Sequence, residues 1–456
     1  MKLSVVILAA GQGKRMKSSL PKMLQPLAGR PMLAHVIDTA RSLDPANILV
    51  VYGHGGDRVR DTLKDQPVSW VLQAEQLGTG HAVMQALPQL QDDQLVLILY
   101  GDCPLIRRQT LLDFTQLASA KAMALLTVML EDPTGYGRVL RDSRGQVRKI
   151  VEEKDASKAE RKIRECHSGI MAIPGRHLRK WLGRLENHNA QGEYYLTDVV
   201  GLAVEDKLAI KPFIAPSAEE VLGVNDKVQL AEVEAIRRKM MARELMLAGL
   251  TLADPARLDV RGHFTHGADC FIDVNVVLEG NVKIGDRVRI GPNCVIRNSE
   301  IGDDTEVFPS CVIDSARIGA RCNIGPFARF RPSSTLANEV HIGNFVEVKN
   351  STMSDGSKAN HLTYVGDAQI GSRVNLGAGT IVANYDGANK HRTIVEDDVH
   401  TGSNSVLVAP ITVGAGATVG AGSTVTNEVP PGKLTVARVK QVTIDGWQRP
   451  KKQKKP

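Results

Sequence analysis

Short apolar runs alternate with amphipathic segments through the first half of the chain. Val5 to Leu8, Ile48 to Val51 and Leu95 to Leu99 are β-branched or leucine-rich and bounded by polar or glycine-rich turns. Runs of that length without internal polar positions suit parallel strands covered on both faces. Segments between them, such as Pro31 to Ser42, carry helical spacing. The pattern predicts a doubly wound α/β domain ending near Val224. The period then changes: from Lys227 to Ala248, residues Leu230, Val233, Ile236, Met240 and Leu247 fall on one helical stripe. Asp226, with Gln229 close behind it, suits an N-terminal cap, and Gly249 suits a C-terminal stop. At ~1.5 Å per residue this helix spans roughly 33 Å, and it is expected to link two domains.

The second half repeats. Ile284, Ile301 and Ile318 stand 17 residues apart, and Ile290, Ile296, Val307 and Ile313 fill steps of five or six. Gly follows Ile284, Ile290, Ile301, Ile318, Ile324, Ile342 and Ile370, and the pattern resumes at Val413-Gly414 and Val419-Gly420. A six-residue period led by an aliphatic residue predicts a β-solenoid, each flat face giving one side chain to a stacked column. Small residues after each aliphatic permit tight corners. From Val382 to Arg392 the hexads stop, which predicts a loop projecting from the coil.

Composition agrees with two or three domains: 456 residues, 43% apolar, 4% aromatic and 41 glycines, so part of the chain packs thin layers rather than a bulky core. The excess positive charge, +7 overall, gathers at the end, where residues 449–456 hold five basic side chains and no acid. Such a run reads as a solvated tail; nucleic-acid binding would need interleaved stacking aromatics, and none is present. Leu3 to Ala10 is too short for a signal peptide and runs into basic Lys14-Arg15, so it reads as a buried first strand. No stretch reaches the ~18 apolar residues of a membrane span. The six cysteines show no CxxC pair or framework spacing and read as reduced thiols of a cytoplasmic protein.

Candidate chemistry concentrates at two places. After the first apolar run comes Leu8-Ala9-Ala10-Gly11-Gln12-Gly13-Lys14-Arg15-Met16. Glycines there let the backbone turn N–H groups towards phosphate, or serve only as a strand-to-helix turn; the segment is neither a dinucleotide fingerprint nor a P-loop. Lys22 in Leu-Pro-Lys adds a cation. Asp102, directly after a strand, is placed either to hold a hard cation or simply to cap a turn. Nucleotidyl transfer needs these parts together: donors around a triphosphate, a nearby cation and Mg²⁺ on the leaving pyrophosphate. In the repeats, Arg331, Lys349, His361 and Tyr364 read either as a solvated face or, with the interrupted hexads, as a cleft. Two cations suit a sugar phosphate, and an imidazole suits proton removal from an amine attacking a thioester.

Leu-Ala-Ala-Gly-x-Gly-x-Arg-Met followed by Leu-Pro-Lys resembles the signature of sugar-nucleotide pyrophosphorylases. Gln73-Ala-Glu-Gln-Leu-Gly-Thr-Gly-His81, Pro133-Thr-Gly-Tyr-Gly-Arg138, Ile150-Val-Glu152 and Gly192-Glu-Tyr-Tyr-Leu-Thr-Asp198 narrow the likeness. So do Gly325-Pro-Phe-Ala-Arg-Phe-Arg-Pro332, His361-Leu-Thr-Tyr364 and Asn384-Tyr-Asp-Gly387. Over essentially its whole length the chain resembles the bifunctional N-acetylglucosamine-1-phosphate uridylyltransferase / glucosamine-1-phosphate acetyltransferase family. That resemblance implies a Rossmann-like α/β doubly wound nucleotidyltransferase domain over 1–226, a connecting helix over 227–249, and a left-handed parallel β-helix over 250–456. It implies acetyl transfer from acetyl-CoA to glucosamine-1-phosphate, then uridylyl transfer from UTP with Mg²⁺, in a cytoplasmic homotrimer that supplies cell-wall synthesis.

Position by position, the resemblance puts Leu8, Ala9, Ala10, Gly11, Gln73, Gly78 and Thr79 on the uridine nucleotide, with Arg15 and Lys22 at its phosphates. It puts Tyr100 and Gly101 in the pocket wall, Asp102 and Asn225 on Mg²⁺, and Gly137 and Glu152 on the sugar. His167-Ser168-Gly169 stands where the family has Asn-Thr-Gly, so His167 replaces a sugar-contacting Asn and still offers one donor. In the repeats the resemblance makes His361 the general base, oriented by Glu347. Arg331, Lys349, Tyr364, Asn375 and Lys390 would bind glucosamine-1-phosphate, and Ala378, Asn384, Tyr385, Ser403, Ala421 and Arg438 acetyl-CoA. Two rivals remain: a nucleotidyltransferase whose solenoid only oligomerises, and a solenoid whose His341, His361 and His400 ligate a metal as in hexapeptide-repeat carbonic anhydrases.

Overall fold

The computed structural model describes residues 1–53 and 56–450. His54, Gly55 and residues 451–456, the end of the basic tail, lie outside the described residues. Two compact units form, Met1–Met240 and Met241–Pro456.

The first unit is built on a nine-stranded sheet. Its strands are β1 Leu3–Ala9, β2 Asn47–Gly53, β3 Ser69–Gln73, β4 Leu95–Tyr100, β5 Ala122–Met129, β6 Arg138–Arg141, β7 Val147–Val151, β8 Glu165–Pro174 and β9 Ala209–Ile214. The main order is β9-β5-β8-β4-β1-β2-β3, with β6 paired to β8 and β7. The three apolar runs picked from the sequence are β1, β2 and β4, and β4-β1-β2-β3 is parallel as expected. Alternate residues feed two cores: Val5, Ile7 and Leu97 on one face, Val6, Leu8 and Ile98 on the other. Two strands depart from the parallel expectation. β8 runs antiparallel to β4, β5 and β6, and β7 runs antiparallel to β6. The reversal is made by the tight turn over residues 142–146, where β6 folds back on β7, and β8 keeps the direction of β7.

A helix follows over Lys227–Leu247. Asp226 Oδ1 accepts the N–H groups of Val228 (3.0 Å) and Gln229 (2.9 Å), while Gln229 Oε1 accepts from Asn225 N at 2.7 Å. That satisfies orphan donors of the first turn. Gly249, at φ +103°, ends it. Leu230, Val233, Ile236 and Met240 pack with Met16, Leu27, Met32, Leu105 and Val224. Leu247 breaks the expected stripe and is 76% exposed. No core lies beneath it; Met241 and Leu245 pack on the coil core instead.

The second unit is a left-handed parallel β-helix of hexapeptide repeats. Its aliphatic residues sort into three columns, each made by parallel pairing of one coil on the next. Ile284, Ile301, Ile318, Leu336, Met353, Ile370, Val395 and Val413 form one. Ile296, Ile313, Phe330, Val348 and Val365 lie in a second, and Ile290, Val307, Ile324, Ile342, Ala359 and Leu376 in a third. In-phase stacking buries each column almost completely, and that burial is the main stabilising term. The first column steps 25 residues from Ile370 to Val395, against 17 from Ile284 to Ile301, so the surplus leaves the coil as a loop. Val382 itself is fully buried in the strand Ile381–Ala383 and Asn384 is buried after it, so the projection starts at Tyr385 rather than at Val382.

Candidate functional site

In the first unit the loop after β1 and the ends of β3 and β4 enclose a cavity of about 920 Å³. Leu8, Ala10, Gly11, Lys22, Gln73, Gly78, Thr79, Tyr100 and Asp102 line it, and so do Gln12, Lys14, Gln76 and Glu193, which sequence reasoning did not single out. The last two sit inside motifs that carried the resemblance, so motif context rather than residue type was the available signal. Gly11 has open space where a side chain would start. Gly13, at φ +62°, lies so close to Lys22 that a Cβ would come within 2.6 Å of Lys22 Cβ. That position therefore needs glycine both for its backbone conformation and for the approach of the lysine.

Lys22 is the centre of this site. It is 7% exposed, and its Nζ donates to Asp102 Oδ2 at 2.5 Å and to Asn225 Oδ1 at 3.0 Å. Gly101 N donates to Leu8 O at 2.9 Å, which ties the turn carrying Asp102 to the loop after β1. Residues 22, 102 and 225 thus meet although they are far apart in sequence. Two oxygen donors already converge on one hard cation, so the set fits a hard divalent metal that draws its remaining ligands from phosphate and water.

A second cluster flanks Tyr100. Glu152 accepts from Thr197 Oγ1 at 3.0 Å, and burial pushes its carboxyl above the ordinary range. A Cβ on Gly137 would stand 3.4 Å from that carboxylate. Gly137 O accepts the backbone N–H of His167 at 2.8 Å, and a Cβ on Gly169 would meet the Tyr100 ring at 2.6 Å. Burial also drives the Tyr100 hydroxyl up. His167 is enclosed; burial lowers its imidazole to about 3, outweighing a smaller opposing effect of the Leu126 backbone carbonyl, so it is neutral. Arg15 is exposed and, with Ala9, Gly101, Gly137, Glu152, His167 and Asn225, does not line the cavity.

In the β-helix the candidate residues occupy two corners of the coil. At one, backbone hydrogen bonds climb coil by coil: Leu362 N to Asn344 O, Gly379 N to His361 O, Asn404 N to Ala378 O, and Gly422 N to Ser403 O. Arg438 Nη1 donates to Ala421 O at 2.8 Å and tops the series. His361, Ala378, Ser403, Ala421 and Arg438 therefore run along one edge. His361 Nδ1 lies 2.9 Å from Asn344 Oδ1, an acceptor that puts the proton on Nδ1 and leaves the Nε2 lone pair free. Glu347 is not on His361; it pairs with Arg331 at 3.2 Å, because both belong to the adjacent face.

At the next corner Asp367 collects cations and amides. It accepts from Lys349 Nζ at 3.1 Å, Asn350 Nδ2 at 2.5 Å, and Asn384 Nδ2. Burial alone would raise its carboxyl, but those hydrogen bonds outweigh it and hold it below the ordinary range. Lys390, across the loop from Tyr385, is held below its ordinary value by contact with the Lys349 ammonium. Tyr364 and Asp367 bracket the strand Tyr364–Gly366, roughly 10 Å apart at ~3.3 Å per residue. Asn375 pairs with Lys358 and His400 on another face. A single chain thus unites Arg331 with Glu347, and Lys349 with Asp367 and Asn384, but it does not bring them to His361. Asn344 and Asp367 escaped sequence reasoning, although one coil period from His361 or Asn384 points to each.

Family models match in three places: a MobA-like NTP transferase domain over 5–168, a GMPPB C-terminal domain over 260–342, and six bacterial transferase hexapeptide repeats over 392–427. Curated relatives match end to end. Bifunctional protein GlmU of Azoarcus sp. (strain BH72) is 58% identical over 452 residues, covering 99% of this chain and 100% of its own. The GlmU of Cupriavidus pinatubonensis is 58% identical over 453 residues, with 99% and 100% covered. That of Nitrosospira multiformis is 53% identical, with 100% and 99% covered. The chain belongs to the GlmU family. It is accordingly a bifunctional transferase, acetylating glucosamine-1-phosphate and then uridylylating the product to UDP-N-acetylglucosamine, one of the precursors of the cell wall. Family and domain are consistent with use of a divalent metal.

Proposed function

We propose that the two activities divide at the boundaries 1–226, 227–249 and 250–456, with uridylyl transfer in the first segment and acetyl transfer in the last. Leu8 to Gly11, Gln73, Gly78 and Thr79 hold the nucleotide, Arg15 and Lys22 its phosphates, Tyr100 and Gly101 its pocket wall. Gly137, Glu152 and His167 face the sugar. Asp102 and Asn225 hold Mg²⁺, which when bound supplies positive charge to the pyrophosphate leaving group. The phosphate oxygen of N-acetylglucosamine-1-phosphate attacks the α-phosphorus of UTP, and the bond to the pyrophosphate oxygen breaks. Lys22, released from the two oxygens that now hold it, offsets charge on the triphosphate. The focus of Asp102 and Asn225 on that one ammonium beside the cavity carries this reading.

In the β-helix, Arg331, Lys349, Tyr364, Asn375 and Lys390 bind glucosamine-1-phosphate, and Ala378, Asn384, Tyr385, Ser403, Ala421 and Arg438 bind acetyl-CoA. His361 Nε2 takes a proton from the amine as nitrogen attacks the thioester carbonyl; the tetrahedral adduct expels the thiolate, and the imidazolium returns the proton to sulfur. The chain acts as a cytoplasmic homotrimer, with acetyltransferase sites completed between copies. Two observations support this: the split of the site over two corners, and an exposed apolar stripe beside His361. Phe327, Phe345 and Leu362 are 52%, 57% and 61% exposed in successive coils, the two rings stacked at 5.4 Å. Among the described residues no helix is long and apolar enough to cross a membrane.

Supplying glucosamine-1-phosphate, acetyl-CoA, UTP and Mg²⁺, and following free thiol and pyrophosphate separately, tests both halves. Chelation should abolish pyrophosphate release and spare thiol release. A chain that makes thiol but never pyrophosphate, or the reverse, overturns the assignment.

A further inference from the structure

Gln73 closes β3, the edge strand of the sheet, and lines the cavity. Lys22 and Asp102 lie at the ends of β1 and β4, and Glu152 and His167 lie beyond β4 on the opposite side. If phosphates occupy the middle and the sugar the β8 side, the base falls to the β3 edge, against Gln73. Its amide is not free to turn. Nε2 is 3.2 Å from Gly78 O and 3.1 Å from His81 Nδ1. A carbonyl oxygen only accepts, so Gly78 fixes the –NH₂ on this side, and the second N–H must then meet an unprotonated Nδ1. The His81 proton is therefore on Nε2, 3.1 Å from the side-chain amide of Gln85; that amide accepts it by turning over and giving up its long 3.3 Å bond to His81 O. With both its N–H groups engaged, Gln73 presents Oε1, to which nothing donates among the described residues.

An oxygen that can only accept distinguishes the two common pyrimidines. At N3 uracil offers an N–H, whereas cytosine offers a bare nitrogen between a carbonyl and an amino group, so an acceptor aimed at N3 itself pairs only with uracil. A mispaired acceptor in a dry pocket costs more than a missing contact. We propose that His81 is a positioning residue that sets pyrimidine choice, uracil over cytosine, by locking the Gln73 amide with its oxygen towards the base. Gln85 is the outer member of the relay. It lies outside the cavity lining, so its effect passes through His81 alone.

The inference rests on the reading that places the nucleotide base at Gln73, and the test separates the two. The full-length chain is assayed for pyrophosphate release with N-acetylglucosamine-1-phosphate and Mg²⁺, with UTP or CTP as donor, and kcat/KM is compared between them. His81→Leu should lower the UTP:CTP ratio about five- to tenfold, mainly through KM for UTP. His81→Asn, whose amide oxygen can stand where Nδ1 stood, should restore most of the ratio. Gln85→Leu should lower it about twofold, and this variant carries the test if His81→Leu does not fold. An unchanged ratio, an equal loss of kcat with both nucleotides, or an asparagine variant no better than leucine would overturn the proposal. Gln73→Ala tells the two failures apart. If it lowers the ratio while His81→Leu does not, only the role of His81 is lost; if it changes nothing, the base does not lie at Gln73 and both readings fall.

Discussion

The two units reach a similar end, a polar site on an aliphatic frame, by opposite routes. In the α/β unit the decisive residues are remote in sequence: Lys22 meets Asp102 across 80 positions and Asn225 across 203. In the β-helix the polar contacts that are not local turns span about one coil, as between Asn344 and His361 or Asn350 and Asp367, each 17 apart. Remote contacts let one chain wrap a cavity from several directions. One-coil contacts build ladders, and a ladder presents an edge rather than an enclosure. That is why the first site closes within a single chain while the second leaves His361 and Lys349 on different corners. A solenoid obtains concavity from what stands beside it.

Perturbing each site alone probes that contrast. The largest effect is expected from Asp102→Ala, which leaves Lys22 partly unpaired and removes the proposed metal ligand: pyrophosphate release should fall about 10³-fold with thiol release intact. His361→Ala should do the reverse, lowering thiol release about 10²- to 10³-fold and sparing pyrophosphate release. Loss of both activities in either variant would mean that the two units are not chemically independent. Phe330 is 1% exposed between Ile313 and Val348, so Phe330→Ala opens a gap in one column. It should cost about 3–5 kcal/mol, read as a lower melting transition for the β-helix with that of the α/β unit unmoved.

The pH response should also be one-sided. Burial lowers His167 to about 3 and His35 to about 4, both below the ~6.5 of an unfolded histidine. The unfolded chain then binds protons that the folded α/β unit refuses. Its stability is therefore complete above pH ~6.5 and falls as pH drops towards 4, by about 1.4 kcal/mol per pH unit for each histidine. Denaturant melts between pH 7 and 4.5 should show this slope for the α/β unit and a shallower one in His167→Asn. The smallest effect is expected from Asp367→Asn. It frees Lys349 and Asn384, and should raise KM for glucosamine-1-phosphate about three- to fivefold with little change in kcat.

Periodicity carried most of the fold. Three apolar runs located β1, β2 and β4, and the 17-residue step of Ile284, Ile301 and Ile318 located one column of the coil. The antiparallel course of β8 was hidden because its residues are as apolar as those of a parallel strand; the turn between β6 and β7, not composition, sets its direction. Leu247 misled for a similar reason, since a stripe shows which residues could be buried but not where the core beneath them ends. Among candidate residues, those in glycine-marked motifs that line the cavity were legible, because a tight turn against a neighbouring side chain restricts residue type. Asn344, Asp367 and Gln85 were not, because a hydrogen-bonding side chain on a surface looks the same whether its neighbour is water or a reactive group.

The sequence by itself therefore determined the class of each half and the glycine turn after β1, since hydrophobic period and backbone permissiveness are local properties written residue by residue. Only the tertiary structure decided which polar groups meet: the ammonium of Lys22 between two distant oxygens, the imidazole of His361 on Asn344 rather than Glu347, the Gln73 amide held from behind by His81. Those contacts depend on strand order and coil register, which bring separated residues within the ~3 Å over which a hydrogen bond acts.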